Sequence, residues 1–181
     1  LCYACCDGTL KCIGTDGRLK WKTRLPGRIF STPVCCNGIV AVGCADGGIY
    51  AFKVRNGKAA WVLPTGKSVL ASPAFWDGKL FCGASDGCFR AVDVRSGRLL
   101  WQFDGVEGFV EDKAWADAEQ VVFGAWDRTL YSLDTDTGEL MWKWKVDKGS
   151  RMYSPAACWP VKSSGRIFVA VPDRKVSALD A

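Results

Sequence analysis

Along this chain the apolar residues fall in short alternating runs, each cut off by Gly, Asp, Asn or Pro, and no stretch sustains the 3.6-residue period of a helix. The stretch from Leu70 shows the unit. Ala71–Phe75 reads as a short apolar strand, Trp76-Asp77-Gly78 as a turn, and Lys79–Ala84 as a second strand. Ser85-Asp86-Gly87 turns the chain into a third strand over Cys88–Val92, with Gly87 free to take a positive φ. Asp93 to Gly97 is a hairpin loop with glycine at its left-handed position, and Arg98–Phe103 is the fourth strand. Four short strands joined by tight turns predict one antiparallel sheet per unit, with no room for a helix.

The unit repeats. Trp21, Trp61, Trp101 and Trp142 are spaced by 40, 40 and 41 residues, and a glycine (Gly17, Gly57, Gly97, Gly138) stands four residues before each. An aspartate opens a turn upstream of each tryptophan, at Asp7, Asp46, Asp86 and Asp127, with Asp173 as a fifth; proline recurs at Pro33, Pro73 and Pro155. A sheet of four short strands cannot bury both faces alone, and stacking successive sheets around an axis solves this. The expected fold is therefore all-β: a β-propeller of four-stranded antiparallel blades, about four and a half of them. Complete blades are expected at about 28–63, 67–104 and 108–145, with partial blades at 1–27 and 150–181. The chain opens in the second strand of one blade and stops after the third strand of another, the phase expected of a segment from a longer ring. Otherwise raw sheet edges invite self-association.

Composition narrows the chemistry. With 49% hydrophobic and 24% charged residues the chain is globular, and no apolar run reaches the length of a membrane-spanning helix. The absence of His removes Ser-His-Asp catalysis, Cys-His catalysis and His-ligated metal sites from these residues. The net charge of +5 is scattered. Its densest run, Arg18 to Arg24, alternates so that Lys20, Lys22 and Arg24 share one strand face and Leu19, Trp21 and Thr23 the other. That is a solvated outer strand, and no nucleic-acid partner is expected.

Ten cysteines remain, most of them in apolar strand-like runs where Cys acts as a small hydrophobe, as in Val34-Cys35-Cys36 and Phe81-Cys82-Gly83. Cys2 and Cys5 have C-x-x-C spacing but no second pair at zinc-site distance. The vicinal pairs Cys5-Cys6 and Cys35-Cys36 point to opposite faces of a strand, which disfavours a bridge. Unpaired thiols in this number favour a reducing cytoplasm.

Neither WD nor kelch repeats fit: Trp126-Asp127 occurs once with no His, and Gly47-Gly48 is a solitary pair. The pattern resembles the PQQ-like, quinoprotein-dehydrogenase-like propeller repeats. It reads Ala51-Phe52-Lys53, Asn56-Gly57, Trp61; then Ala91-Val92-Asp93, Ser96-Gly97, Trp101; then Ser132-Leu133-Asp134, Thr137-Gly138, Trp142. Cys12-Ile13-Gly14, Asp16-Gly17, Trp21 is a degenerate copy one residue short, and a fifth breaks off at Ala178-Leu179-Asp180. The resemblance implies a ring of seven or eight blades in which each Trp packs on the glycine loop of a neighbouring blade. It therefore assigns Trp21, Trp61, Trp101, Trp142 and Gly17, Gly57, Gly97, Gly138 a docking role.

Departures from the repeat are the candidate sites. Innermost strands are expected to line the axis with Ser31-Thr32-Pro33, Ala71-Ser72-Pro73 and Tyr153-Ser154-Pro155; one copy instead reads Glu111-Asp112-Lys113. Three turns read Asp-Gly, but two read Asp127-Arg128 and Asp173-Arg174. With Trp126 beside them, Arg128 and Arg174 suit an anionic or planar ligand on one rim. The segment around Cys158-Trp159-Pro160 adds to this half.

The resemblance implies a non-catalytic binding or scaffolding module of a bacterial protein, without cofactor, engaging a protein partner or the rest of its parent chain through a rim. A subunit of the outer-membrane assembly machinery is one such relative, placing it in the periplasm or at the cell surface. The Asp-Arg blades look most like propellers appended to calcineurin-like phosphoesterases. The alternative is a fragment of a quinoprotein dehydrogenase, which holds pyrroloquinoline quinone with Ca²⁺ on the axis. The acids placed there are Glu111 and Asp112; the two asparagines, Asn37 and Asn56, fall in turns, and Cys35-Cys36 echoes the family's vicinal pair.

Overall fold

The computed structural model describes residues 1–145, 161–171 and 175–180. Among these every regular element is a strand, and the strands form five antiparallel sheets. The first contains β1 (Cys2–Ala4), β2 (Thr9–Ile13) and β3 (Leu19–Arg24). The second runs β4 (Val34–Cys36), β5 (Ile39–Gly43), β6 (Gly48–Lys53), β7 (Ala59–Pro64). The third runs β8 (Ala74–Trp76), β9 (Lys79–Gly83), β10 (Phe89–Asp93), β11 (Leu99–Phe103). The fourth runs β12 (Trp115–Ala116), β13 (Gln120–Ala125), β14 (Thr129–Asp134), β15 (Leu140–Lys145), and the fifth β16 (Val161–Ser163), β17 (Arg166–Val171), β18 (Lys175–Asp180). Each sheet is a meander in sequence order, the blade of a propeller.

The turn chemistry explains the meander. Asn37-Gly38, Asp77-Gly78 and Ser164-Gly165 have positive φ at both residues, the I′ geometry that closes two-residue hairpins with the right twist. In the fourth sheet this turn is replaced by a loop in which the Asp117 carboxylate accepts the N–H groups of Glu119 and Gln120. Between the third and fourth strands every complete sheet has the same bulge, beside the residue that faces the recurring tryptophan: Ala51 opposite Trp61, Ala91 opposite Trp101, Ser132 opposite Trp142. The first sheet has it too, beside Cys12 opposite Trp21, and this breaks the alternation expected from Leu19 onward. Trp21 is buried but Leu19, across the bulge, is exposed.

The core lies between sheets. Phe81, Phe89 and Trp101 of the third pack against Phe123 and Tyr131 of the fourth, with the Phe89 and Phe123 rings stacked 3.8 Å apart. The recurring tryptophans reach forward to the next sheet. Trp21 donates from Nε1 to the Val54 carbonyl (2.7 Å), Trp61 to Val94 (2.9 Å) and Trp101 to Thr135 (3.2 Å). Each indole lies flat on a glycine of that loop: a Cβ on Gly57, Gly97 or Gly138 would sit 2.5–2.6 Å from the ring of Trp21, Trp61 or Trp101. Gly17 has open space beside it, and Trp142 is half-buried against the Val122, Leu130, Ile167 and Val169 cluster shared with the fifth sheet.

The cysteines are less uniformly buried than strand placement suggests. Cys12, Cys44 and Cys82 are buried, Cys2, Cys5, Cys36 and Cys88 half-buried, and Cys6 and Cys35 exposed. Cys5 and Cys6 follow β1 in a turn rather than on a strand, because the Cys5 carbonyl accepts the Gly8 N–H and closes it. Cys158 lies outside the described residues.

Candidate functional site on the rim of the fourth sheet

The recurring aspartates build one rim. Each sits in the turn between the second and third strands of a four-stranded sheet, or between β1 and β2 in the first sheet, and accepts the N–H two residues on: Thr9, Gly48, Cys88 and Thr129 bond to Asp7, Asp46, Asp86 and Asp127 at 2.9–3.0 Å. The second carboxylate oxygen takes the side chain four residues on, the Tyr50 hydroxyl at Asp46 (2.6 Å), the Arg90 guanidinium at Asp86, and the Tyr131 hydroxyl at Asp127 (2.5 Å). Burial works against ionisation of Asp46, but the Tyr50 and Gly48 hydrogen bonds outweigh it and hold the carboxyl below its ordinary range. These aspartates are structural.

The segment leading into a sheet is also bonded to that sheet's own turn: Ala45 N–H to Arg28 carbonyl, Ser85 to Ser68, Trp126 to Phe109, each 2.9 Å. In the second and third sheets the bonded residues carry Arg and Ala, or Ser and Ser. In the fourth they carry two aromatic rings, 6.3 Å apart and tilted by 59°, with Phe109 47% and Trp126 45% exposed. Sequence reading singled out Trp126 and missed Phe109. Its signal is a bulky side chain at a position otherwise Arg or Ser, visible only once the connecting loops are aligned by their backbone bond.

Arg128 stands two residues beyond, where the other turns place Gly8, Gly47 and Gly87 in the left-handed region; its own φ is +68°. A non-glycine residue there costs about 1–2 kcal/mol, partly offset by glycine's larger loss of freedom on folding. Arg128→Gly is therefore expected to raise stability by about 1 kcal/mol, read as a higher urea midpoint at unchanged slope. Strain retained at an arginine beside exposed aromatics is a reason to look for binding there.

The sheets converge at their first strands, β4 approaching β8 and β8 approaching β12. The Thr32 N–H donates to Ser72 Oγ at 2.8 Å, linking equivalent positions of adjacent sheets near the axis. These residues precede the first strands instead of lying in them, since the strands begin at Val34, Ala74 and Trp115. Counted from those starts, Asp112 matches Ser31 and Ala71, while Lys113 matches Thr32 and Ser72. The charged copy is thus offset by one from its sequence alignment, because the connection before it carries one extra residue.

Ser31 is buried and satisfies both Gly43 N–H (2.9 Å) and Gly43 carbonyl (3.0 Å); Asp112 puts a carboxyl at the same place. Burial first, and the neighbouring Glu111 second, push that carboxyl up to about 6. Glu111 accepts a hydrogen bond from Ser85 Oγ in the preceding turn (3.0 Å). The structure so groups Glu111 and Asp112 with Ser85, and Trp126 with Phe109. Lys113 is half-buried; Arg174, Asp173 and the 153–160 segment lie outside the described residues.

The quinone-and-calcium alternative requires Glu, Asn and Asp donors gathered on the axis. Asn37 occupies a left-handed hairpin position and Asn56 accepts the Lys58 N–H (3.1 Å) in a third-to-fourth-strand turn, both in turns away from the axial row. Among the described residues no three His, Cys, Asp or Glu side chains group closely enough to share a metal ion. The donor set among the described residues does not fit that group.

Tryptophan-docked four-stranded sheets converging on an axis define a β-propeller of PQQ-like repeats. Residues 6–104 and 85–181 both match the PQQ_2 family, described as outer membrane protein assembly factor BamB, and the chain belongs to that family. A 49-residue stretch is 41% identical to BamB of Burkholderia pseudomallei, covering 27% of this chain and 13% of that protein. The crystal structure of BamB from Moraxella catarrhalis superposes with a TM-score of 0.83 at 23% identity over 99% of this chain and 54% of that one. Quinohemoprotein alcohol dehydrogenase ADHIIG from Pseudomonas putida HK5 superposes with a TM-score of 0.78 at 18% identity, over 96% and 39%. Both structural likenesses are to the fold. The chain spans about half the length of the BamB structure it matches.

Proposed function

We propose that this chain is a non-catalytic propeller module that binds a protein partner through the rim of its fourth sheet, in a bacterial assembly process of the kind named for its family. The observation that carries the reading is the pair Phe109 and Trp126: two half-exposed rings, fixed by the same backbone bond that holds Arg28/Ala45 and Ser68/Ser85 elsewhere. Aromatic side chains on rigid turns give large contact area at little conformational cost, and with Arg128 they have the composition of an interface hot spot. A phosphoesterase domain on the same polypeptide would have to supply its own histidine ligands, since this chain contains none.

The test is binding of the purified chain to the other subunits of the outer-membrane assembly machinery from the same bacterium, by calorimetry. Phe109→Ser with Trp126→Ser is expected to weaken binding at least tenfold, as loss of one hot spot of about 2 kcal/mol would do, with unchanged thermal unfolding. Undiminished affinity in the double variant would move the interface elsewhere. Dye reduction on adding pyrroloquinoline quinone and Ca²⁺ would reverse the choice in favour of the dehydrogenase reading.

A further inference from the structure

The first sheet brings together two thiols whose sulfur chemistry neither the core nor the proposed rim interface uses. Cys2 on β1 and Cys12 on β2 are directly opposite in the antiparallel register. Their neighbours Leu1 and Ile13 exchange both backbone hydrogen bonds, at 2.8 and 2.9 Å. The ladder alternates, so Cys2 and Cys12 form a non-hydrogen-bonded pair, the type in which facing side chains approach most closely, with Cα atoms about 4.5 Å apart. That spacing lies within the range a disulfide spans, about 4.4–6.8 Å. Both side chains belong to one apolar cluster, Cys12 buried in it and Cys2 packed on it. Cys35, exposed on β4 of the next sheet, points the opposite way from Cys36 and meets Cys2 from across the sheet boundary.

We propose that Cys2 and Cys12 are a modification site: a cross-strand dithiol that a low-molecular-weight disulfide oxidises to an intramolecular bridge. The Cys2 thiol, half-buried and therefore within reach of a small reagent, loses its proton and attacks one sulfur of the reagent. This releases one small thiol and leaves a mixed disulfide. The Cys12 thiol then loses its proton and attacks the Cys2 sulfur, expelling the second small thiol. Two protein thiols become one disulfide while one small disulfide becomes two thiols, so electrons and protons balance. Burial and the nearby sulfurs of Cys12 and Cys35 push the Cys2 thiol well above its usual range, which makes exchange slow at neutral pH and the reduced pair persistent. Cys35 is the competing partner.

The experiment is peptide mapping of the full chain after incubation with oxidised glutathione at pH 8.5, digested with trypsin without reduction. Trypsin cuts after Lys11, so the bridge joins peptide 1–11 to peptide 12–18, while Cys35 travels in peptide 29–53. The joined 1–11/12–18 species is expected to exceed half of the material, to survive Cys5→Ser with Cys6→Ser, and to vanish in Cys2→Ser; Cys2→Ala serves if the serine variant does not fold. Joining of 1–11 to 29–53 instead, glutathione adducts alone, or a 1–11/12–18 species that persists without Cys2 would each overturn the assignment.

Discussion

Trp101→Ala should lower the free energy of unfolding by about 3–5 kcal/mol, the cost of deleting a large buried aromatic side chain. Its indole is buried, contacts the rings of Phe81 and Phe89, hydrogen-bonds Thr135 and lies on Gly138, so the cavity would open at the boundary of the third and fourth sheets and not within one of them. The measurement is urea unfolding followed by far-UV circular dichroism. A companion substitution separates docking from simple burial. Gly138→Ala puts a methyl 2.6 Å from that ring and forces alanine to the glycine's positive φ, together about 2–4 kcal/mol. In a chain that already carries Trp101→Ala the clash is gone and about 1–2 kcal/mol of backbone strain remains. The two losses are therefore expected to be sub-additive. Full additivity would mean that the ring does not rest on that loop.

The second large effect is at Asp86. Its carboxylate holds Arg90, whose side chain is only 7% exposed, through two guanidinium nitrogens, while also closing the Asp86–Cys88 turn. Asp86→Ala strands a buried positive charge, a loss of about 3–5 kcal/mol. Asp46→Ala breaks the same turn but leaves only the neutral Tyr50 hydroxyl without its partner, a loss of about 1–2 kcal/mol. The difference between the two urea midpoints reads how much more an unpaired buried charge costs than an unpaired hydroxyl. Adding Arg90→Leu to Asp86→Ala should restore most of the loss; no recovery would show that the turn, and not the charge, dominates.

What could be read in advance follows from what the repeat enforces. The period, the tryptophans and the glycines are visible because every copy must meet its neighbour in the same way, so the same residue types return every forty or so positions. Hairpin turns are legible for a related reason, since Gly, Asn and Asp accept their left-handed geometry most readily. Local irregularity is not. The bulge that exposes Leu19 depends on a partner strand, and the offset at Asp112 depends on one extra residue in a loop whose length no periodicity fixes. Phe109 was hidden by the same looseness: its role comes from a backbone bond to Trp126, and backbone partners leave no mark on side-chain identity. Trp126, which stands out by departing from the repeat, is thus half of the proposed rim pair, and Phe109 joins it only through the fold.

The indole-on-glycine contact has a sense of direction, each unit extending a plug forward and offering a socket behind. Any two copies joined head to tail therefore mate without a new interface having to arise. Tandem duplication of a single unit therefore lengthens such a protein by a whole module that meets its neighbours through the same contact. Because each plug lies in one unit and its socket in the next, a boundary drawn between two units severs the single contact that spans it and leaves every other pair intact.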